Sequence, residues 1–231
     1  MNTALRDSPG LETVIVETGP NPTAAIIWMH GLGADGHDFE PLVPELLEDG
    51  MPALRFVFPH APVRPVTINN GYKMRAWYDI IGIDRRSAED FSGIQASADA
   101  VTALIRAQNA RGIASSRILI AGFSQGGAMA LHIATRFPEK LAGVIALSCY
   151  LPLAKEFAGE RSSANLTTPI FMAHGSQDPV VPFSMGDESR RVLEGTGYRV
   201  DWHAYPMPHA LCAEEVADLK SWLVKRLVSA A

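Results

Sequence analysis

The chain has 231 residues, of which 47% are hydrophobic and 19% are charged, so it has the size and composition of one globular domain with a large core. We therefore predict a single domain over 1–231. Its net charge of −5 argues against nucleic acid as a partner, because phosphate binding requires a basic surface.

Cysteine content and hydropathy exclude several further classes. The two cysteines, Cys149 and Cys212, form no C-x-x-C motif and are too few for a disulfide framework or a Cys-based zinc site. No apolar stretch reaches the ~18 residues of a membrane span, so no stable membrane insertion is expected. The first residues carry no basic segment followed by an apolar one, and a cytoplasmic location is the expectation.

Short apolar, β-branched runs alternate along the chain with longer segments of helical periodicity. Several of these runs, such as AAIIWM and GVIAL, are apolar throughout, as expected for strands covered on both faces. The predicted strands are Thr13–Val16, Ala24–Met29, Ala53–Phe58, Arg117–Ala121, Leu141–Leu147, Pro169–Ala173 and Arg199–Ala204. The predicted helices are 87–110, Ser124–Phe137, Phe183–Glu194 and Ala213–Val228. This order predicts an α/β fold with a mostly parallel central sheet and helices on both faces.

Two segments, Pro59–Ile83 and Ser148–Thr168, fit neither pattern. Long irregular segments in a compact domain are often functional. Both follow a predicted strand, so we expect both at the carboxyl edge of the sheet, where ligands bind in such folds.

One predicted strand ends in Gly122-Phe123-Ser124-Gln125-Gly126, a G-x-S-x-G pattern followed by a helix. This is the pattern of a nucleophile elbow, in which glycines permit a tight turn and the serine is exposed at a helix N-terminus. The N–H of Gln125 would then face a developing oxyanion. The alternative is a structural turn in which Ser124 is only a helix N-cap.

A serine nucleophile needs a base and an acid, which in this kind of fold follow it in the order acid, then histidine. Of the four later histidines, His209 is the best candidate base because it lies in a loop after the last strand; the others are His132, His174 and His203. Asp178 is the best candidate acid because it follows a strand, whereas its rival Asp201 lies within one.

The segment after the second predicted strand, His30-Gly31-Leu32-Gly33, is a glycine-rich loop that can supply a second oxyanion donor. We assign that role to the N–H of Leu32. His30 is interpreted as a structural hydrogen-bonding residue of this loop. His30 and His37 do not have the spacing of a known metal site, so no metal is predicted.

Seven stretches, taken together, resemble the bacterial carboxylesterase and acyl-protein thioesterase/lysophospholipase family of α/β-hydrolases. They are WMHGLGADGHDF, FVFPHAP, RAWYDI, GFSQGGAMAL, LSCYLP, HGSQDPVVP and YPMPHAL, in the family's order over residues 28–211. The resemblance implies Ser124, Asp178 and His209 as a catalytic triad, with Leu32 and Gln125 as oxyanion donors. It also implies ester or thioester hydrolysis without metal or cofactor, and it makes a homodimer one expected assembly.

The sequence departs from the family near the histidine. Pro208 precedes His209 where the family commonly has Gly, and Ala210 follows where Ser is common. Proline removes an N–H and restricts the preceding residue. The departure concerns the approach of this loop and the substrate range, and it removes no reacting group.

The acyl group requires an apolar pocket, for which Trp77, Leu151 and Val180 are the predicted substrate-binding residues. Further candidates are Met74, Tyr78, Leu153, Phe157 and Met207. The alternative is that these side chains only pack the loops onto the sheet.

The expected activity is that of a serine carboxylesterase for short to medium acyl chains, acting on a small ester or thioester. The alternative is an acyl-protein thioesterase or lysophospholipase for longer chains, which would use the same residues. A non-catalytic ligand-binding relative is disfavoured by the intact triad, and a dienelactone-hydrolase-like enzyme by Ser in place of Cys at the elbow.

Overall fold

The computed structural model describes residues 10–82 and 88–228. Seven strands form one sheet and two more form a separate hairpin. The sheet strands are β1 (Thr13–Glu17), β2 (Ala24–Met29), β3 (Leu54–Pro59), β6 (Ile118–Phe123), β7 (Gly143–Leu147), β8 (Ile170–Gly175) and β9 (Val200–Tyr205); the hairpin strands are β4 (Val63–Val66) and β5 (Tyr72–Arg75).

The strand order is β1-β3-β2-β6-β7-β8-β9, and every pairing is parallel except that of β1 with β3. The predicted mostly parallel sheet is confirmed. The carboxyl ends of β2, β6, β8 and β9 therefore meet at one edge, where loops can place side chains from distant parts of the chain together.

In the described residues, six α-helices accompany the sheet: α1 (Val43–Leu46), α2 (Phe91–Ala110), α3 (Gln125–Arg136), α4 (Phe157–Glu160), α5 (Phe183–Gly195) and α6 (Ala213–Leu227). Asp90 caps α2 by accepting a hydrogen bond from the Gly93 N–H at 2.9 Å. In α6, acidic residues occupy the first turn and basic residues the last, which suits the helix dipole.

Two apolar cores lie on opposite faces of the sheet. Buried side chains of α2 and α3 cover one face, and those of α1 and α6 cover the other. The central strands β2, β3, β6, β7 and β8 are buried along nearly their whole length, which explains their continuous apolar sequences. Helices on both faces confirm the remaining part of the fold prediction.

All seven predicted strands are present, with ends shifted by at most two residues. Of the longer helices, α2 begins at Phe91; position 87 of its predicted range lies outside the described residues.

The expectation that Pro59–Ile83 is irregular is wrong for its described part, because it contains the β4–β5 hairpin. Pro65 has no backbone N–H and therefore argues against a central strand. The hairpin is separate from the main sheet, so β4 tolerates the missing N–H donor. The turn at Asn70-Gly71, where both residues have positive φ, is a hairpin signal that could have revealed it. Ile83 lies outside the described residues. Ser148–Thr168 contains only short helical turns, including α4.

Candidate active site

Ser124 lies in the turn between β6 and α3 with φ 54° and ψ −120°, a region that L-residues rarely adopt. Its N–H donates to the Leu147 carbonyl at 2.8 Å, and its carbonyl accepts from Ala128 at 3.0 Å. A Cβ at position 122 would lie 2.2 Å from the Gly126 carbonyl carbon, so the flanking glycines are required sterically. The Ser124 side chain makes no helix-capping hydrogen bond. The turn therefore presents this hydroxyl without using it for capping.

His209 and Asp178 form a hydrogen bond of 2.6 Å between Nδ1 and Oδ2. Because a carboxylate only accepts, Nδ1 carries the proton and Nε2 is left as the basic nitrogen. The other oxygen of Asp178 accepts from the N–H groups of Val180 and Val181 at 2.8 and 2.9 Å. The Asp178 side chain has no exposed surface, whereas that of His209 is 15% exposed. The pair thus has a buried, fixed acid and a base that reaches solvent.

A second histidine, His174, supports the same carboxylate. Its Nε2 donates to the Val181 carbonyl at 2.9 Å and lies 3.5 Å from Asp178 Oδ2. Burial lowers the pKa of His174, so the ring stays neutral. Of the other histidines, His132 is buried in α3, which lowers its pKa to about 3. His203 pairs with Asp201 at 3.1 Å. The rival acid is therefore engaged with a different histidine.

The loop that carries His209 is fastened to the loop after β8 by backbone hydrogen bonds. Ser176 and Gln177 donate to the Tyr205 and Met207 carbonyls at 2.8 and 3.2 Å. A Cβ on Gly175 would lie 2.3 Å from the Met207 carbonyl oxygen, so only glycine permits this approach. The Pro208 carbonyl accepts from the Ala210 N–H at 2.9 Å. These bonds use carbonyls of the loop and need no N–H at position 208.

The glycine-rich loop after β2 also borders Ser124. A Cβ on Gly31 would lie 3.5 Å from the Ser124 Cβ, so this loop lies directly beside the serine. The next amides are used within the protein: Gly33 donates to Arg75 at 2.9 Å, and Ala34 donates to Gly31 at 3.3 Å. The Leu32 N–H has no backbone acceptor within the described residues. Its amide is therefore available to a ligand.

Gln125 follows Ser124 at the first position of α3, where backbone N–H groups lack helical partners. Its side chain is buried and bridges two backbone groups. It accepts from the Trp77 N–H at 2.8 Å and donates to the Tyr78 carbonyl at 2.7 Å. From the sequence, only a role for the N–H of Gln125 was predicted, and this side-chain role was missed. The available signal was a polar residue beside glycines at the start of a buried helix.

His30 fixes the start of the glycine-rich loop after β2. Its Nε2 accepts from the Ala61 N–H at 3.0 Å, so the proton is on Nδ1, which donates to the Gly31 carbonyl at 2.7 Å. Burial lowers the pKa of His30 to about 4 and keeps it neutral. The indole N–H of Trp77 donates to the His30 carbonyl at 2.9 Å. His30 thus has the structural hydrogen-bonding geometry that the sequence suggested.

The three predicted substrate-binding residues have different environments. Trp77 is completely buried and Leu151 is 4% exposed, whereas Val180 is 51% exposed. The acyl-binding role of these residues stays a prediction. Within the described residues no cluster of three or more His, Cys, Asp or Glu side chains could hold a metal ion, and Cys149 and Cys212 are free thiols. No helix of the described chain is long and apolar enough to cross a membrane.

A groove of about 390 Å³ lies beside His209. We call it the His209 groove. Its apolar wall consists of Phe39, Pro41, Leu42, Phe123 and Leu211, and its acidic rim consists of Asp38 and Glu45.

Comparison with known proteins identifies relatives over nearly the whole chain. A family model described as phospholipase/carboxylesterase matches residues 11–227. Acyl-protein thioesterase 1 of Neurospora crassa is 42% identical over 214 residues, which cover 89% of this chain and 87% of that protein. Acyl-protein thioesterase 1 of Mycosarcoma maydis is 38% identical, with 93% of this chain and 97% of the relative covered.

Solved structures give the same result. Arabidopsis thaliana SOBER1 superimposes with a TM-score of 0.84 at 31% identity, covering 88% of this chain and 99% of that chain. Zea mays acyl-protein thioesterase 2 superimposes with a TM-score of 0.83 at 29% identity, covering 93% and 98%. The predicted α/β-hydrolase fold and the resemblance stated above are confirmed.

Proposed function

Since the chain belongs to the phospholipase/carboxylesterase family and is a serine hydrolase of the α/β-hydrolase fold, we propose that it removes acyl groups from cysteine thioesters in proteins. We propose this activity because the relatives at 36–42% identity are named acyl-protein thioesterases. The thioesterase alternative is thereby favoured over the carboxylesterase that the sequence analysis placed first.

In the proposed reaction, Ser124 Oγ attacks the thioester carbonyl and transfers its proton to His209 Nε2. Asp178, hydrogen-bonded to His209 Nδ1 at 2.6 Å, keeps the ring in the required tautomer and stabilises the imidazolium. The carbonyl oxygen becomes an oxyanion that accepts from the N–H groups of Leu32 and Gln125. Each such donor is typically worth ~3 kcal/mol of transition-state stabilisation.

Collapse of this intermediate breaks the C–S bond, and the thiolate leaves with the proton from His209. The acyl group is then bonded to Ser124. Water attacks this ester, again losing a proton to His209, and the carboxylic acid is released. The free enzyme is restored with no net gain or loss of protons or electrons.

The test compares matched substrates that differ only in the scissile bond and the chain length. S-acyl cysteine peptides and O-acyl serine peptides with acetyl, octanoyl and palmitoyl groups would be assayed by mass spectrometry with wild type and Ser124→Ala. We expect Ser124→Ala to lose about 10⁴-fold or more in kcat. Ser221→Ala is the matched control, since that serine is exposed on α6 and its hydroxyl donates only to the Ala217 carbonyl.

A preference for the S-octanoyl or S-palmitoyl peptide over its oxygen analogue supports the thioesterase. Turnover of acetyl and octanoyl oxygen esters alone would reject it in favour of the carboxylesterase. Unchanged activity of Ser124→Ala would reject Ser124 as the nucleophile.

A further inference from the structure

The position of the His209 groove relative to the reacting atoms indicates which part of a substrate can enter it. The leaving group must lie beside the histidine, because His209 delivers a proton to it. The groove is lined by His209 itself and by Phe123, the residue before Ser124. Most of the remaining lining comes from residues 38–45, which follow the glycine-rich loop in the chain. The groove therefore adjoins the departing thiol.

The floor of the groove is aromatic. The rings of Phe123 and His209 have centroids 4.7 Å apart, and those of Phe39 and Phe123 are 5.8 Å apart. Trp28 stacks on Phe39 from below at 5.2 Å. Aromatic faces attract a cation as well as an apolar chain. The floor thus suits a side chain with an aliphatic stem and a positive head.

The rim of the groove is acidic and has no cation of its own. Asp38 and Glu45 are exposed, and neither forms an ion pair within the described residues. The segment 31–50 contains six carboxylates and no Lys or Arg. Partial burial and the neighbouring Asp35 raise the pKa of Asp38. A cationic ligand would offset the repulsion between these carboxylates.

We propose that the His209 groove binds the leaving-group side of an S-acylated peptide that has Lys or Arg next to the acylated cysteine. The aliphatic stem of the basic residue lies on the Phe39 and Phe123 rings, and its charge pairs with Asp38 and Glu45. The volume of about 390 Å³ is in the ~300–1,000 Å³ range of ligand sites, which suits a side chain and its backbone. The proposal rests on the thioesterase function proposed above.

The test uses three peptides with one scissile bond. In Ac-X-Cys(octanoyl)-X-NH₂, X is Lys, Gln or Glu, and kcat/KM is measured for each. The thiol and the acyl group stay constant, so only the flanking charge varies. We expect kcat/KM of the Lys peptide to exceed that of the Gln peptide by about 5- to 10-fold, as exposed ion pairs allow. The Glu peptide should be the poorest substrate.

Variants locate the source of the preference. The double variant Asp38→Asn/Glu45→Gln should bring the kcat/KM values of the Lys and Gln peptides within about twofold of each other. Asp99→Asn is the matched control, because Asp99 is an exposed carboxylate on α2, which packs on the other face of the sheet. Equal rates on all three peptides, or a Lys preference that survives in the double variant, would overturn the proposal.

The two proposals fail in distinguishable ways. If no S-acyl peptide is hydrolysed, the thioesterase function fails and so does a peptide as occupant. The charge of the groove is then tested with octanoylcholine and its neutral analogue 3,3-dimethylbutyl octanoate. If the double variant leaves the ratio of these two esters unchanged, the groove selects no cation. A lowered ratio would show cation selection for a small leaving group, which still rejects the peptide.

Discussion

The two sides of Ser124 are built in different ways. On the acid–histidine side, residues 174–181 and 205–211, the fixed element is a buried carboxylate with three close partners, among them His209. On the oxyanion side, residues 30–36 and 75–79 with Gln125, the fixed elements are neutral: a histidine whose pKa is lowered to about 4 and a buried amide. In the proposed mechanism, the first side carries charge and the second presents fixed dipoles to the oxyanion.

Asp178→Asn has the largest expected effect among the variants that test this difference. The Asn Oδ1 can still accept from the Val180 and Val181 amides, so the loop stays folded. Its amide nitrogen donates towards His209 Nδ1, however, and thereby favours the tautomer with the proton on Nε2. That ring cannot accept the serine proton, and we expect kcat to fall about 10⁴-fold. The measurement is kcat on the octanoyl peptide together with the thermal midpoint.

Asp201→Asn is the control for that substitution, because Asp201 pairs with His203 instead. Its effect on kcat should stay within about twofold, as for other surface changes. A comparable loss in both variants would mean that Asp178 does not have the special role assigned to it.

Glu215→Gln tests a buried carboxyl group at the start of α6, the helix that follows the acid–histidine side in the chain. Glu215 is fully buried at the start of α6, and burial, partly offset by a hydrogen bond from the Cys212 N–H, raises the pKa of its carboxyl group from 4.5 to about 8. Between these pH values the folded protein binds the proton more tightly than the unfolded one. The unfolding free energy of the wild type should therefore fall by about 4 kcal/mol from pH 4.5 to pH 8 relative to Glu215→Gln.

Urea unfolding at several pH values measures this difference. His30 and His132 titrate with the opposite sign, since their pKa values are lowered, but they contribute equally to both proteins and cancel in the comparison. Glu214→Gln, a change at the exposed neighbouring position, should follow the wild-type curve. Parallel curves for wild type and Glu215→Gln would contradict the prediction.

Gln125→Met tests the neutral side. The substitution keeps the length of the side chain and the backbone N–H but leaves the Trp77 N–H and the Tyr78 carbonyl without partners. Each unpaired buried group costs ~1–3 kcal/mol of unfolding free energy. We expect kcat to fall about tenfold, less than the ~10²-fold or more expected on deleting an oxyanion donor. Denaturant unfolding and kcat on the octanoyl peptide measure the two effects.

Gln108→Met is the matched control, because Gln108 is also completely buried but its side chain makes a single hydrogen bond within the described residues, of 3.4 Å, to the Leu104 carbonyl. We expect a loss below ~1 kcal/mol and full activity. Equal losses in the two variants would show that the Gln125 bridge contributes no more than ordinary burial.

The two sides also differ in how far the sequence predicts them. Asp178 and His209 follow predicted strands, so strand order alone places them at the same edge. On the oxyanion side, Gln125 contacts Trp77, which lies in the segment predicted to be irregular. Strand order therefore does not predict this contact. The β4–β5 hairpin was missed because its strands have only four residues each and Pro65 argues against a strand, although the Asn70-Gly71 turn is a hairpin signal.

Pro208→Gly has the smallest expected effect. It restores the glycine that the family commonly has before the histidine. Pro208 is exposed, and no hydrogen bond of its loop needs an N–H there. Glycine enlarges the unfolded ensemble and should cost up to ~1 kcal/mol of unfolding free energy. Because the buried Asp178 and the Gly175 contact hold His209 independently of residue 208, kcat/KM on the octanoyl peptide should change by less than about twofold. A tenfold loss of kcat with unchanged KM would mean that the stiffness of the proline, and not the bond to Asp178 alone, positions the base.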